Sequence, residues 1–380
     1  MKIVVLSIGI PSERYPINGI FEFDQAKALA QAGHEVCSLA LDFRAYSFKR
    51  RFGFFRYQKE GVNIYELSLP LGVYRRALPL LQRIALWAFG KIVKEKGKPE
   101  VVHAHFYSMG AIGSIIKEKY GLPYIITEHS SKLNKTKEQI SKLDCRLAQT
   151  AYRHCDLLIT VSKALSQRIK ENFGKDNIVI HNIVDTSTFH FEGRLPHQGI
   201  AFVSVGNLTK NKGFDILIKA FASLPDTATL DIIGDGLEKE SLQQLTDSLN
   251  LSNRINFHGL QTRQKIQQIY NRSDVFALAS HSETFGLSYV EAMLAGLPVI
   301  ATRCGGPEDF VNENNGILVP TDDCKALSAA MNSFISSKNS FDSQSIAAFA
   351  ESNFSPKSIA GKITEAYQHC FMIISRKSDI

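Results

Sequence analysis

The chain has 380 residues, 44% hydrophobic and 21% charged, which is long enough for two ordinary domains and too apolar for a disordered polymer. No stretch approaches the ~20 apolar residues of a membrane span, and the opening run Ile3 to Ile10 is broken by Pro11 with no small-residue cleavage site, so a first strand is expected there rather than a signal peptide. The net charge of +7 is uneven: residues 1–190 carry 28 Lys and Arg against 17 Asp and Glu, the remainder 16 against 20.

Such asymmetry is compatible with nucleic acid, anionic lipid or an acidic substrate. No common nucleic-acid motif is present, and the basic residues concentrate between Arg44 and Arg56 and at Arg75-Arg76, mixed with aromatics. A membrane surface is therefore the preferred partner, as a peripheral contact on the anionic inner face. The six cysteines have no Cys-x-x-Cys and no regular spacing, which favours free thiols in a reducing cytoplasm.

In chain order, Lys2 to Ile8 reads as a buried strand, a long loop with an Asn18-Gly19 turn follows, and Phe21 to Ala32 has helical character before the strand Glu35 to Leu41. This is a βαβ opening. Gly19 stands where backbone can approach a phosphate without a Cβ in the way, although neither Gly-x-Gly-x-x-Gly nor a P-loop occurs. Pro79 to Lys96 predicts a helix with Leu80, Leu81, Ile84, Trp87, Ala88 and Ile92 on its apolar side. Packing in the core is the simple reading, and lipid contact through its ends is the alternative.

Glu100 to His105 has a strand period, so His103 and His105 share a face. A metal would need more ligands, and Glu128-His129, His181 and Asp235 make no familiar set, so none is expected. His105, at the strand end, is the candidate for a site; His103 is expected to pack inside, and Glu128 and His129 to face an acceptor. Ile178 to Ile183 closes the first half, and the polar residues 190–199 suggest a linker.

The βα rhythm restarts with Ile200 to Val205, the loop Gly206 to Gly213 and the helix Phe214 to Ala222. Val275 to Leu278 then predicts a strand, Leu287 to Ala295 a helix with Gly296 as its left-handed cap, and Val299 to Ala301 another strand. The segment Thr284 to Ser288 thus opens a helix at the carboxyl edge of a parallel sheet, where free N–H groups and the helix dipole attract an anion such as phosphate. Glu283 and Glu291 flank that position. Acids beside an anion site are best used on hydroxyls, a ribose diol at Glu291 and sugar hydroxyls at Glu283, and together these features describe a nucleotide sugar.

Glu283-x7-Glu291 around Phe285-Gly286, followed by Ala295-Gly-Leu-Pro-Val-Ile-Ala301 and Gly305-Gly-Pro-Glu308, resembles the donor-site signature of the family 4 retaining glycosyltransferases. The likeness extends to Val102-His-Ala-His-Phe106 and to His181-Asn-Ile-Val-Asp185 with Phe189. It implies an α/β, GT-B fold: two doubly wound Rossmann-like domains facing across a cleft, residues 1–190 on the acceptor side, joined by a last helix at about 362–380, and residues 191–361 holding the donor. The implied donor site comprises Gly19, Asn207, Lys212, Glu283, Phe285, Gly286, Leu287, Ser288 and Glu291, with His105, Lys212 and Glu283 in the catalytic roles.

What the resemblance implies is metal-independent transfer from a nucleotide diphosphate sugar, UDP-based by preference, to a glycan or lipid-linked glycan in cell-surface polysaccharide synthesis, with no cofactor. Two departures stand out. Asn207 occupies the position where the family usually has Arg, leaving Lys212, or Lys210 beside it, to meet the phosphates; Ile183 replaces the glycine of the junction motif. A non-catalytic partner subunit that binds nucleotide sugars and a sugar-nucleotide epimerase of the same fold stay open, and a glycosidase, which also uses two acids, fits the anion site poorly.

Overall fold

The structure is a computed structural model that describes residues 1–15, 18–72, 77–337 and 340–378, without the side chains of 337 and 376–378. Arg75 and Arg76 of the basic cluster, and the side chains of Arg376 and Lys377, lie outside the described residues. The chain forms two compact units, Met1–Ile183 with Pro356–Ile380, and Val184–Ser355.

The first unit runs β1 (Lys2–Ser7), α1 (Ile20–Gln31), β2 (Glu35–Asp42), β3 (Gly53–Lys59), β4 (Val62–Ser68), α2 (Leu78–Lys96), β5 (Val101–His105), α3 (Phe106–Tyr120), β6 (Tyr124–Glu128), α4 (Lys142–His154), β7 (Leu157–Thr160), α5 (Lys163–Phe173) and β8 (Ile178–Val179). Its eight strands lie in the order β3-β4-β2-β1-β5-β6-β7-β8. All the pairings are parallel except β3 with β4. β1 is buried from Ile3 to Ser7, as its near-continuous apolar sequence requires of a strand covered on both faces.

The second unit runs β9 (Ile200–Val205), α6 (Phe214–Phe221), β10 (Ala228–Ile233), α7 (Lys239–Ser248), β11 (Ile255–Phe257), α8 (Arg263–Tyr270), β12 (Val275–Leu278), α9 (Leu287–Leu294), β13 (Val299–Thr302), β14 (Gly316–Val319), α10 (Cys324–Ser337) and α11 (Ser343–Phe354). Its six strands are all parallel, in the order β11-β10-β9-β12-β13-β14. The chain then enters α12 (Pro356–Ser378), whose Ile359, Ala360, Ile363 and Tyr367 are buried with Phe23, Ala26 and Leu29 of α1 in the first unit's core.

In each sheet the strand order reverses beside the first strand, at β1/β5 and at β9/β12. Loops leaving the carboxyl ends of such a pair diverge to opposite faces and open a crevice. Gly19 lies on the loop after β1, Asn207 and Lys212 on the loop after β9, Glu283, Phe285 and Gly286 on the loop after β12, and Leu287, Ser288 and Glu291 on the helix that follows it, while His105 is the last residue of β5.

Several boundaries differ from the sequence expectation. Residues 184–199 belong to the second unit and form no free linker. Val184 N–H donates to the Phe354 carbonyl (3.0 Å), the buried Phe189 ring meets Tyr270 at 6.0 Å, and the Arg194 guanidinium donates to the carbonyls of Ser273, Asp274 and Gly296 and to Ser343 Oγ. The last strand of the first half stops at Val179, and α12 belongs to the first unit from Pro356 onward, not only from about 362. On α2 the buried face is Leu81, Ala85, Ala88, Phe89 and Ile92, whereas Leu80 and Trp87, expected inside, are about half exposed.

Candidate active site

In the second unit the loop after β9 is a 3-10 turn, Lys210–Lys212, closed by Gly213 in the left-handed conformation (φ 61°). A Cβ on Gly213 would stand 2.1 Å from the Ala279 carbonyl oxygen, so this loop lies tight against the end of β12. The loop after β12 is pinned in turn: Glu283 N–H donates to the Cys304 carbonyl (2.9 Å) and Gly306 N–H to the Glu283 carbonyl (3.0 Å). Two loops fixed this way bring Lys212 Nζ to 2.6 Å from Glu283 Oε1, with Ser280 Oγ donating to the same oxygen at 2.8 Å. The Glu283 side chain is 9% exposed and that of Lys212 22%, a partly desolvated ion pair that a short carboxylate contact and a hydroxyl both support.

α9 begins just beyond this pair. Its N-cap is Gly286 (φ 97°), which has no side chain to cap it, so the Leu287 and Ser288 N–H groups, which have no acceptor within the helix, are donors for another group. Leu287 and Ser288 are partly exposed in this first turn, and Glu291 is partly exposed one turn on. The Glu291 charge helps to raise the Tyr270 phenol, after burial, which acts more strongly. Tyr289, from the same turn, donates its hydroxyl to the Leu278 carbonyl (3.1 Å) and so seats α9 on β12. The Phe285 ring turns inward between Phe310 (5.5 Å) and Phe354 (5.6 Å), which leaves its backbone as the part able to meet a ligand. Asn207 and Lys210 are exposed.

In the first unit Gly19 is the left-handed N-cap of α1 (φ 74°), and a Cβ there would stand 2.1 Å from the Gly9 carbonyl oxygen. Glu22, in the first turn, is buried, and burial pushes its carboxyl up to about 7. His103 and His105 are both wholly buried, as alternate residues on a strand with helices over both faces must be. Gln25 donates its amide to His103 Nδ1 (3.1 Å), which places the ring proton on Nε2, facing Thr127 Oγ1 at 2.7 Å. The Tyr367 hydroxyl also reaches Nδ1 (2.6 Å), so α12 is held to the sheet there. His103 is thus a satisfied structural residue, whereas His105 has a different environment.

His105 Nδ1 lies 2.9 Å from His129 Nε2, and the rings of His103, His105 and His129 stack in nearly parallel planes at 4.9 and 5.1 Å. Burial, reinforced by the two neighbouring imidazoles, keeps His105 well below the ordinary histidine range. Beside it, the Glu128 carboxylate accepts from the Tyr107, His129 and Ser130 N–H groups and from the Tyr152 hydroxyl. Burial nevertheless pushes Glu128 up to about 7. Glu128 and His129, expected to face an acceptor, are instead 0% and 9% exposed.

Residues 23–188 match the model described as Glycosyltransferase Family 4, and residues 185–351 match Glycosyl transferases group 1. The chain belongs to this glycosyltransferase family. As a family member it is 29% identical over 261 residues to D-inositol 3-phosphate glycosyltransferase of Mycobacteroides abscessus, covering 60% of this chain and 57% of that one. That match therefore spans less than two thirds of the relative. A putative teichuronic acid biosynthesis glycosyltransferase of Bacillus subtilis, TuaC, is 26% identical over 353 residues, covering 87% of this chain and 88% of that one.

Among solved structures, sucrose-phosphate synthase from Thermosynechococcus elongatus superposes with a TM-score of 0.82 at 20% identity, covering 98% of this glycosyltransferase and 100% of that chain. Anabaena HepE in complex with UDP gives 0.73 at 23% identity, covering 97% and 100%. These likenesses agree with two Rossmann-like parallel α/β units, the GT-B architecture. Among the described residues no group of three His, Cys, Asp or Glu is placed to hold a metal ion.

The residues brought together in the second unit are Lys212 and Glu283, beside the start of α9. Ser280, which supports Glu283, was missed in the sequence because a serine in a strand-end loop carries no distinguishing pattern. The His105–His129 hydrogen bond was missed as well, its partners being 24 residues apart on neighbouring strands.

Proposed function

We propose that this chain transfers a sugar from a nucleotide diphosphate sugar, UDP-based, to a hydroxyl of a glycan or lipid-linked glycan in cell-surface polysaccharide synthesis, with retention at the anomeric carbon. The observation that carries this reading is the Lys212–Glu283 pair beside the uncapped start of α9, at the switch point of the second sheet. An ammonium has three donors, so Lys212 can keep Glu283 while a second N–H meets a diphosphate oxygen. The Leu287 and Ser288 amides supply further donors, Glu291 takes the ribose diol and Glu283 the sugar hydroxyls. Gly19 lets backbone approach the phosphates, and His105 lines the sugar pocket.

In the reaction the acceptor oxygen bonds to the anomeric carbon as the bond to the diphosphate oxygen breaks. The acceptor proton passes to that leaving oxygen on the same face, and no protein nucleophile is used. The lysine and the helix amides stabilise the charge that develops on the diphosphate, the kind of preorganised term worth several kcal/mol elsewhere, in a mechanism that requires no metal ion. HepE, crystallised with UDP, and TuaC, named for teichuronic acid synthesis, support the choice of donor and product class.

The test is thermal unfolding in the presence of UDP-glucose, UDP-galactose, UDP-N-acetylglucosamine, GDP-mannose and ADP-glucose. A ligand at one hundred times its Kd adds about 2.7 kcal/mol, so a selective rise in Tm with the uridine compounds is expected, and Glu291→Ala should reduce it. No stabilisation by any of the five would reject the reading. Binding without release of nucleoside diphosphate in the presence of any acceptor would favour a non-catalytic binding subunit, the role suggested by Asn207 where the family usually has Arg.

Peripheral membrane contact is part of the same proposal, with a smaller basic surface than composition suggests. Arg44 and Arg50 are paired with Asp42, and Arg50 also donates to the carbonyls of Arg44, Ala45, Phe48 and Leu69. Tyr46, Phe48, Phe52 and Trp87 remain exposed in this region, with Arg51, whose side chain is 60% exposed, over the Phe55 ring at 4.0 Å. No described helix is long and apolar enough to cross a membrane. Trp87 is the sole tryptophan, so vesicles containing phosphatidylglycerol should shift its emission to the blue and phosphatidylcholine vesicles should not; equal spectra with both would exclude the contact.

A further inference from the structure

We infer that His129 is a positioning residue for His105. Through the 2.9 Å hydrogen bond between its Nε2 and His105 Nδ1 it holds the His105 ring so that Nε2 is the atom presented to the sugar. This inference rests on the placement of His105 at the sugar pocket proposed above.

Three observations carry it. His105 Nε2 is buried with no hydrogen-bond partner among the described residues, and a buried polar atom in that condition costs about 1–3 kcal/mol until something satisfies it. With Nδ1 engaged by His129, Nε2 is the atom left for a ligand. Second, the His129 ring is itself fixed by aromatic neighbours, Phe21 stacked at 5.8 Å and Phe106 at 5.1 Å. Its backbone N–H is tied to Glu128, as is that of Tyr107, so one carboxylate secures the segments carrying both rings.

Third, Phe106 has φ 62°, a conformation that costs a bulky L-residue roughly 1–2 kcal/mol. It lies directly between His105 and the first helical amide held by Glu128. That conformation makes the abrupt passage from β5 into α3 immediately after His105, and the surrounding bonds sustain its cost. The chemistry also selects the ligand. A hydroxyl both donates and accepts, so it satisfies Nε2 in either tautomer of the pair; a phosphate oxygen only accepts, satisfies Nε2 in one tautomer alone, and gains no charge attraction from a ring that burial among imidazoles keeps neutral.

The experiment compares the affinities of UDP and UDP-glucose, so that the contribution of the sugar is read as their ratio, in full-length protein. His129→Asn, whose amide falls short of the Nε2 position, is expected to reduce that ratio by about tenfold with UDP affinity unchanged. His129→Gln, which can return a polar atom to the Nε2 position, should restore most of it. In a His105→Ala background His129→Asn should have no further effect. An unchanged ratio in His129→Asn, failure of Gln to rescue it, or an equal loss in the His105→Ala background overturns the inference. A ratio untouched by His105→Ala alone shows instead that His105 is not at the sugar, and absence of UDP binding by the wild type removes the donor reading beneath both.

Discussion

Replacing Lys212 by alanine is expected to lower sugar-nucleotide turnover by about 100- to 1,000-fold, the loss typical when one preorganised donor to developing negative charge is removed. A second effect accompanies it. Glu283 has a side chain only 9% exposed and its carboxylate is 2.6 Å from the lysine ammonium, so deleting the cation leaves a largely buried charge without its counterion, at a cost of up to about 3 kcal/mol. The double variant Lys212→Ala/Glu283→Gln removes both charges and should recover much of that stability, since the neutral amide needs no counterion, but none of the turnover. Urea unfolding and nucleoside diphosphate release separate the two effects. Turnover unchanged in Lys212→Ala would remove the lysine from the proposed reaction whatever the stability did.

Gly213→Ala is expected to damage the site nearly as severely, although residue 213 is given no contact with substrate. The residue must hold φ at 61°, and its missing Cβ is what allows the loop after β9 to lie against the Ala279 carbonyl oxygen, which a methyl would approach to 2.1 Å. The left-handed conformation alone costs an alanine roughly 1–2 kcal/mol; the overlap is with backbone at the end of β12, so relief requires the two loops to separate. Lys212 and Glu283 ride on those loops, and a displacement of about 1 Å can cost on the order of 100-fold in rate. Gly33→Ala is the control: φ there is 88°, and a Cβ would meet nothing within 4 Å, so it bears the conformational cost alone. Equal Tm and nucleotide affinity in the two variants would show that the close approach at Gly213 has no consequence.

The legibility of the chain follows from how local each feature is. The passage from β12 through α9 to β13 was readable almost to the residue because an apolar run, a helical stretch, the left-handed glycine at Gly296 and the proline that opens the next strand are all local signals. The antiparallel hairpin of β3 and β4 was not read. Its first strand, Gly53–Lys59, is half-exposed at the sheet edge, and the alternation of Phe and Tyr with Arg and Lys resembles a surface cluster. Arg44 and Arg50 were read as free surface charge for the same reason: a sequence shows that an arginine is present, and only packing shows that Asp42 and a ring of carbonyls occupy it. Arg194 turned an expected linker into part of the second unit in the same way.

By itself the sequence determined two successive βα systems, their parallel sheets and the loops on which the chemistry-bearing residues lie, because periodicity, turn residues and helix caps act over a few positions at a time. Tertiary structure decided which of those residues meet. Lys212 and Glu283 are 71 residues apart and pair because β9 and β12 are neighbours at the point where the strand order reverses. His105 finds His129 because the register of β5 on β6 sets His105 opposite Thr127. Side-chain contacts across a sheet depend on strand order and register, which are settled by the burial of whole elements against one another and by no local run of residues.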